Sequence, residues 1–406
     1  MNLRAVALTS MIAIVVTTCQ SASSPEVVVA PAGDILIGSD LPVSGFLEAA
    51  PPLEKAIRLA VKEHPTVGRF KLAYWSLDDA VAQAPFLDKA IQNVDRLVAE
   101  PRVVGIIGPH TSSVAYGVIP IANQAGIVMI SATASTACLT LAIPSCGSKA
   151  SKLRPSAVNN FFRVAPPDPW QGRAMARFAA QSLGVKWAAA INELGIDGDR
   201  YIDSFADELS RQGGGLVLRQ TMDEATTDFT AFLAKAKEMG ATAIYAVGGP
   251  SVCAARAQMD RGVWFLGTDN FTGQLDCVKN AQINAADMYA TYGADDPDYA
   301  SNPEARKVVA AYRKAYPDSP YNQYTFAAYD CARILIDAIQ RVVTENHGAF
   351  PTRAQVLAAV AKTTQFPGLT GTYSFDSNGD ATSPMMSIYR VENGQWVYKQ
   401  RIEAGL

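Results

Sequence analysis

Two short polar segments carry residue types that could do chemistry. His110-Thr111-Ser112-Ser113 follows the strand-like run VVGII, and Ser131-Ala132-Thr133-Ala134-Ser135 follows the strand-like run GIVMI. Hydroxyls at two successive strand ends can donate to an oxyanion, and a histidine beside them raises the question of nucleophilic catalysis. Adjacent residues make no working Ser–His pair without a third group to orient the imidazole, and nothing local supplies one. The only other histidines are His64 and His347, and the sequence has no GxSxG elbow, GxxxxGK[ST] loop, GxGxxG fingerprint or HExxH pair. No CxxC or Cys/His spacing suggests a metal, so neither a metal nor a cofactor is expected. His110 reads as a residue that lines a loop, and the chain as one that binds without catalysis.

The elements around these loops explain why they belong together. ILIGSD, KLAYWSL, VVGII and GIVMI read as strands, with helical patterns LEKAIRLAVKEH and LDKAIQNVDRLVAE between them. FFRVA, PWQGRAMARFAAQSL, WAAAIN, RYIDSFADELSRQ, GLVLRQ, FTAFLAKAKEMG and ATAIYAV continue the alternation. Alternating β and α units build a mostly parallel sheet with helices on both faces, and this many units make two sheets. The expected fold is therefore α/β, with two Rossmann-like lobes. In such sheets ligands bind beyond the carboxyl ends of the strands. Small residues there let a ligand approach the backbone, and the N–H groups of the following helix can hold a carboxylate. The alternative reading makes the same hydroxyls simple helix caps.

The C-terminal segment differs, with long helices at Tyr324–Val343 and Arg353–Lys362, a DSNGD turn, and the strands SIYRVE and QWVYKQ. A net charge of −3 with no long basic run argues against nucleic acid as a partner.

Residues 1–19 read as an export signal, with a basic start, an apolar core over Ala5–Val16 and a polar end. VTTC resembles the lipobox of bacterial lipoproteins, which would make Cys19 a lipidation site and anchor the protein to a membrane; Thr18 departs from that pattern, and ordinary cleavage slightly downstream is the alternative. Residues 20–33 form a Ser/Pro linker. The expected location is outside the cytoplasm, in the periplasm or on the outer face of the cell membrane. In that oxidising setting Cys138 with Cys146, and Cys253 with Cys277, are expected as disulfides that pin loops. Cys331, in the apolar run YDCARILIDAI, reads as a buried small hydrophobe.

The chain resembles the type 1 periplasmic binding proteins, in particular the leucine/isoleucine/valine-binding proteins of ABC importers. The resemblance covers nearly the whole mature chain and rests on ILIGSDLPVSG, DDAVAQAPFLDKAIQNVDRLVAE, VVGIIGPHTSSVAYGVIPIANQAGIVMISATAS, FFRVAPPDPWQGRAMARFA and FPGLTGTYSFDSNGD followed by VENGQWV. It implies a three-crossover hinge with a ligand cleft between the lobes, crossovers falling near Phe162–Pro166, Thr291–Gly293 and Pro367–Gly371. The first lobe would comprise residues 34–163 plus 293–367, and the second 164–292 plus 368–406. It also implies a permease as partner and closure about the hinge on ligand binding.

Site residues follow from the same resemblance. Ser112, with Ser113 beside it, matches the position that meets a ligand carboxylate. Thr133, Ala134 and Ser135 match the segment that meets carboxylate and ammonium. Asp269, in GTDNF, matches an acidic residue that holds the ammonium from the second lobe. Asp168 matches a position that receptor relatives use for the ammonium, and can equally be read as an N-cap for a helix starting at Pro169. Asp197 stands where relatives commonly carry an aromatic residue, which points to a polar, basic or amide ligand; a solvated turn residue is the alternative. Gly248 and Gly249 could bring bare backbone to the ligand. Ser44 and Phe46 belong to a loop that often touches the ligand side chain. Tyr74, Trp75 and Tyr116 are cleft candidates that could instead be core or rim aromatics. The implied function is delivery of an amino acid or similar small polar solute to a permease. The alternatives are ligand sensing for a receptor or regulator, and binding of an amide- or urea-type ligand.

Overall fold

The computed structural model describes residues 33–45, 50–223, 225–249, 251–272, 275–299, 302–382 and 384–403. The expected leader with Cys19, and Phe46, lie outside these residues.

The first sheet runs in the order Thr66–Val67, Phe70–Asp78, Ile35–Leu41, Val103–Ile107, Val128–Ser131, Phe161–Arg163. All its long pairings are parallel. Its strands are apolar on both faces because helices cover both. Ile35, Ile37, Val104 and Val128 face the Ala50–Glu63 and Gln323–Glu345 helices, while Leu36, Val103, Ile106 and Met129 face Leu87–Ala99 and Ser112–Gln124. Alternation along the strand sends each neighbour to the opposite core. Burial of each such side chain contributes about 1.5–3 kcal/mol.

The second sheet runs Gly215–Thr221, Trp187–Asn192, Ala243–Val247, Trp264–Gly267, Met288–Tyr292, Met385–Glu392, Gln395–Glu403. It is parallel up to Met288–Tyr292, and its last two strands are antiparallel. One face packs Tyr245, Leu266 and Tyr289 against Met175, Tyr201 and Phe205 of the Asp168–Leu183 and Gly195–Arg211 helices. The other packs Ile191, Ile244 and Phe265 against Phe229, Phe232 and Phe271.

The chain passes between the lobes after Arg163 and after Tyr292. Leu369 and Tyr373 pack in the first-lobe core, where the buried Asp330 carboxylate accepts from the N–H groups of Leu369 at 2.7 Å and Thr370 at 2.9 Å. Ala381 joins the same core and Asp380 is bonded to Arg163 and Thr140, so residues 369–381 stay with the first lobe. The third passage therefore lies between Thr382 and Met385, later than the Pro367–Gly371 expected from the sequence.

Cys138 and Cys146 are paired with a Cα–Cα separation of 5.1 Å, and Cys253 and Cys277 with 5.2 Å. Cys331 is unpaired and buried. Among the described residues no helix is long and apolar enough to cross a membrane.

Candidate ligand-binding site between the lobes

The first-lobe wall is built from the two hydroxyl loops, which end the adjacent strands Val103–Ile107 and Val128–Ser131. Gly108 has φ +124°, and a Cβ there would lie 2.6 Å from the Asp40 carbonyl oxygen, so the turn out of the strand needs glycine. The loops are laced together. Ser131 donates to the Pro109 carbonyl at 2.8 Å, and its oxygen accepts from the N–H of Ala134 at 2.9 Å and of Thr133 at 3.2 Å. Thr133 donates to the His110 carbonyl at 2.6 Å, and the Ser112 hydroxyl accepts from the Thr136 N–H at 3.1 Å. The capping role falls to Thr111, whose oxygen accepts from the Val114 N–H at 3.4 Å. Ser113 is exposed and bonds the Thr111 hydroxyl at 3.1 Å. Burial lowers His110 to about 4, so its imidazole is neutral at physiological pH.

Arg163 fixes the second loop from beneath. Its buried guanidinium donates to the Ala134 carbonyl at 3.1 Å, the Thr136 carbonyl at 2.9 Å, the Thr140 hydroxyl at 2.5 Å and the Asp380 carboxylate at 2.6 Å. A buried cation is tolerable only with such full pairing.

The second-lobe wall holds two carboxyl groups. Asp168 is the first residue of the Asp168–Leu183 helix, whose cap position is Pro167 without a side-chain bond. The N-cap reading of Asp168 is thus corrected. Its carboxylate turns inward instead, accepting from the Tyr201 hydroxyl at 2.8 Å, while its N–H donates to the Ser135 carbonyl at 2.9 Å. Asp269 follows the Trp264–Gly267 strand; its N–H donates to Gln171 Oε1 at 3.3 Å, and its Oδ2 accepts from the Tyr324 hydroxyl. Gln171 Oε1 also accepts from Thr291 at 2.8 Å. Burial raises both carboxyls, opposed at Asp168 by the Ser135 and Tyr201 side chains and at Asp269 by Tyr324 and Gln171. Among the described residues neither carboxylate pairs with a Lys or Arg; the field of Arg163 reaches Asp168, but that guanidinium is bonded to Asp380. Among the described residues the buried Gln171 Nε2, Tyr245 Oη and Thr268 Oγ1 of this lobe also lack a hydrogen-bond partner. The fields of both Asp269 and Asp168 act on the Tyr245 phenol.

At the mouth, Asp197 pairs with Arg200, whose guanidinium crosses to the first lobe and donates to the Ser145 hydroxyl at 3.2 Å and carbonyl at 3.3 Å. Asp197 and Arg200 also act on the half-buried Tyr116 phenol. Ser44 is held by Asp78, its hydroxyl donating at 2.6 Å. Tyr74 belongs to the first-lobe core, bonded to Ser39 at 2.6 Å, and Trp75 packs in the opposite core under Arg96. Gly249 is half-buried, and its neighbour Ser251 donates to Glu193 at 2.9 Å.

The structure thus brings Ser112, Thr133, Ala134, Ser135, Asp168 and Asp269 to one region. Asp197 lies at the rim, and Ser44 is engaged with Asp78. Sequence reasoning missed Arg163, Gln171, Tyr201 and Tyr324. A lone arginine in the apolar strand FFR was a readable signal for the first. Gln171, three residues after Asp168 on one helix face, was readable too. The two tyrosines carried no local signal.

A sequence profile described as periplasmic binding protein matches residues 34–395. The chain belongs to the periplasmic binding protein family. Among relatives, this periplasmic binding protein is 23% identical over 377 residues to the Leu/Ile/Val-binding protein homolog 3 of Brucella melitensis, covering 90% of this chain and 93% of that protein. It superposes on the leucine-binding protein LivK of Thermotoga maritima with TM-score 0.71 and 25% identity, over 91% of this chain and 98% of that one. A solute-binding protein of an ABC transporter from R. palustris, in complex with 4-hydroxybenzoate, shares the fold with TM-score 0.70 and 21% identity over 91% and 96% of the two chains.

Proposed function

We propose that this periplasmic binding protein receives an amino acid or similar small polar solute between its lobes and delivers it to the permease of an ABC importer. The observation that carries the reading is the pair of desolvated carboxylates, Asp168 and Asp269, with phenols as partners and, among the described residues, no Lys or Arg bonded to either. A cationic ammonium group supplies the missing charge, with charge-assisted bonds worth roughly 1.5–3 kcal/mol each. The facing loops offer the complementary half. Ser112, Ser113 and the first N–H groups of the Ser112–Gln124 helix meet the ligand carboxylate, with Thr133, Ala134 and Ser135 completing the head-group pocket. Ser44, Gly249 and the Asp197–Arg200 pair surround the side chain and the mouth. The same two carboxylates argue against an anionic aromatic acid, which would bring like charge to a desolvated site.

In this reading residues 1–19 export the protein, Cys19 anchors it by lipid, and the two cysteine pairs are disulfides that brace the loops. The ligand is bound and released unchanged. A thermal-shift screen of amino acids, diamines, amides, urea and aromatic acids tests the proposal. Bound ligand at a hundred times its Kd stabilises by about 2.7 kcal/mol. Stabilisation by one or more amino acids is expected; stabilisation by non-amines alone overturns the reading.

A further inference from the structure

Asp269 is tied to a residue outside its own lobe. Its partner Tyr324 stands at the start of the Gln323–Glu345 helix, which packs in the first-lobe core. That helix start is held rigidly by a reciprocal capping box between Asn322 and Thr325. The Tyr324 ring lies against Tyr292, the last residue before the second passage between lobes, with ring centroids 4.6 Å apart.

The next residue, Gly293, makes room for the phenol. A Cβ there would sit 2.5 Å from Tyr324 Oη and 3.4 Å from Cδ of Pro166, which lies on the first passage. One hydroxyl therefore lies where two of the passages meet and reaches the carboxylate assigned to the ligand. Beside it, Gln323 Nε2 and the Tyr389 hydroxyl both donate to Asp296, so the same helix end is bonded across the hinge a second time. Burial and the Asp269 field keep the Tyr324 phenol protonated, so it acts as a donor.

We propose that Tyr324 is a positioning residue that couples Asp269 to the hinge, so that ligand capture by Asp269 and closure of the lobes occur as one event. The inference rests on the reading of Asp269 as an ammonium-holding group. Asp269 belongs to the second lobe and Tyr324 to the first, so a change of lobe angle would strain or break their bond. A carboxylate oriented by Tyr324 is preorganised for the ligand, and a ligand that favours this orientation also favours this angle.

The test uses the mature protein, single L-amino acids as probes, calorimetric Kd and the radius of gyration from solution scattering. Tyr324→Phe keeps the ring and removes the hydroxyl. The expected results are a Kd about tenfold weaker, a smaller contraction at saturating amino acid, and a ligand-free melting temperature lowered by no more than the loss of one hydrogen bond to a buried carboxylate. Gly293→Ala, which crowds the phenol, should weaken Kd and contraction in the same direction. In an Asp269→Asn background the Tyr324→Phe change should have little further effect, which separates coupling through Asp269 from a general packing role. Wild-type Kd and contraction in Tyr324→Phe overturn the inference while leaving the amino-acid reading intact, as does a full tenfold loss that persists beside Asp269→Asn. A wild type that binds without contracting also refutes the coupling. If no amino acid binds the wild type, the reading fails and the inference falls with it.

Discussion

The main-chain N–H of Asp168 donates to the carbonyl oxygen of Ser135 at 2.9 Å. This bond joins the loop that ends a first-lobe strand to the first residue of a second-lobe helix. In this arrangement of the lobes a hydroxyl and a carboxylate assigned to one ligand head group stand side by side.

The loop that contributes Ser135 depends on Arg163. Replacing Arg163 with Met leaves the buried Asp380 carboxylate with the Thr140 hydroxyl as its donor among the described residues, which is predicted to cost about 3–5 kcal/mol. Urea unfolding measures this directly. A loss below about 1 kcal/mol would show that the clamp is dispensable.

Asp79 gives a pH-dependent prediction. Its carboxyl is wholly buried with neither oxygen hydrogen-bonded, and burial together with the Asp78 charge pushes it up to about 7. Lys89 acts in the opposite direction, and Asp40, bonded to Asn93, lies within the same field. The folded state binds this proton more tightly than the unfolded state does. Stability from this group is therefore present at low pH and lost as pH rises from the ordinary carboxylate range through about 7. Asp79→Asn should stabilise the protein by about 1–3 kcal/mol above neutrality and flatten that slope. Melting curves across pH that show Asp79→Asn less stable on the alkaline side would contradict it.

Arg200 closes the mouth through Ser145. Arg200→Ala is predicted to speed ligand dissociation about tenfold, equivalent to roughly 1.4 kcal/mol, with a smaller change in association rate. Stopped-flow fluorescence separates the two rates. An unchanged dissociation rate would remove the latch from the account.

Much of this was legible in the sequence because it is local. The βα alternation set the two sheets, the rule that ligands gather at strand ends pointed to the HTSS and SATAS loops, and the family resemblance implied Ser112, Ser135 and Asp269 within short segments. What stayed hidden is tertiary. Tyr201 reaches Asp168 from 33 residues away, and Tyr324 reaches Asp269 from 55. Neither tyrosine differs locally from a core aromatic, as Tyr74 shows by proving to be one. Asp168 and a helix cap look alike in sequence because both precede Pro at a helix start; only the inward turn to Tyr201 separates them. The third passage was misplaced for a similar reason, since Asp330 holds residues 369–370 to the first lobe from a helix far earlier in the chain.

The central claim is that Asp269 holds a ligand ammonium in a desolvated site. Isothermal titration of the best-binding amino acid into wild type and Asp269→Asn tests it most directly. Removing one partner of a buried charge pair costs about 2–5 kcal/mol, so the account predicts an affinity loss of some thirtyfold or more. Equal affinity in the two proteins would contradict it.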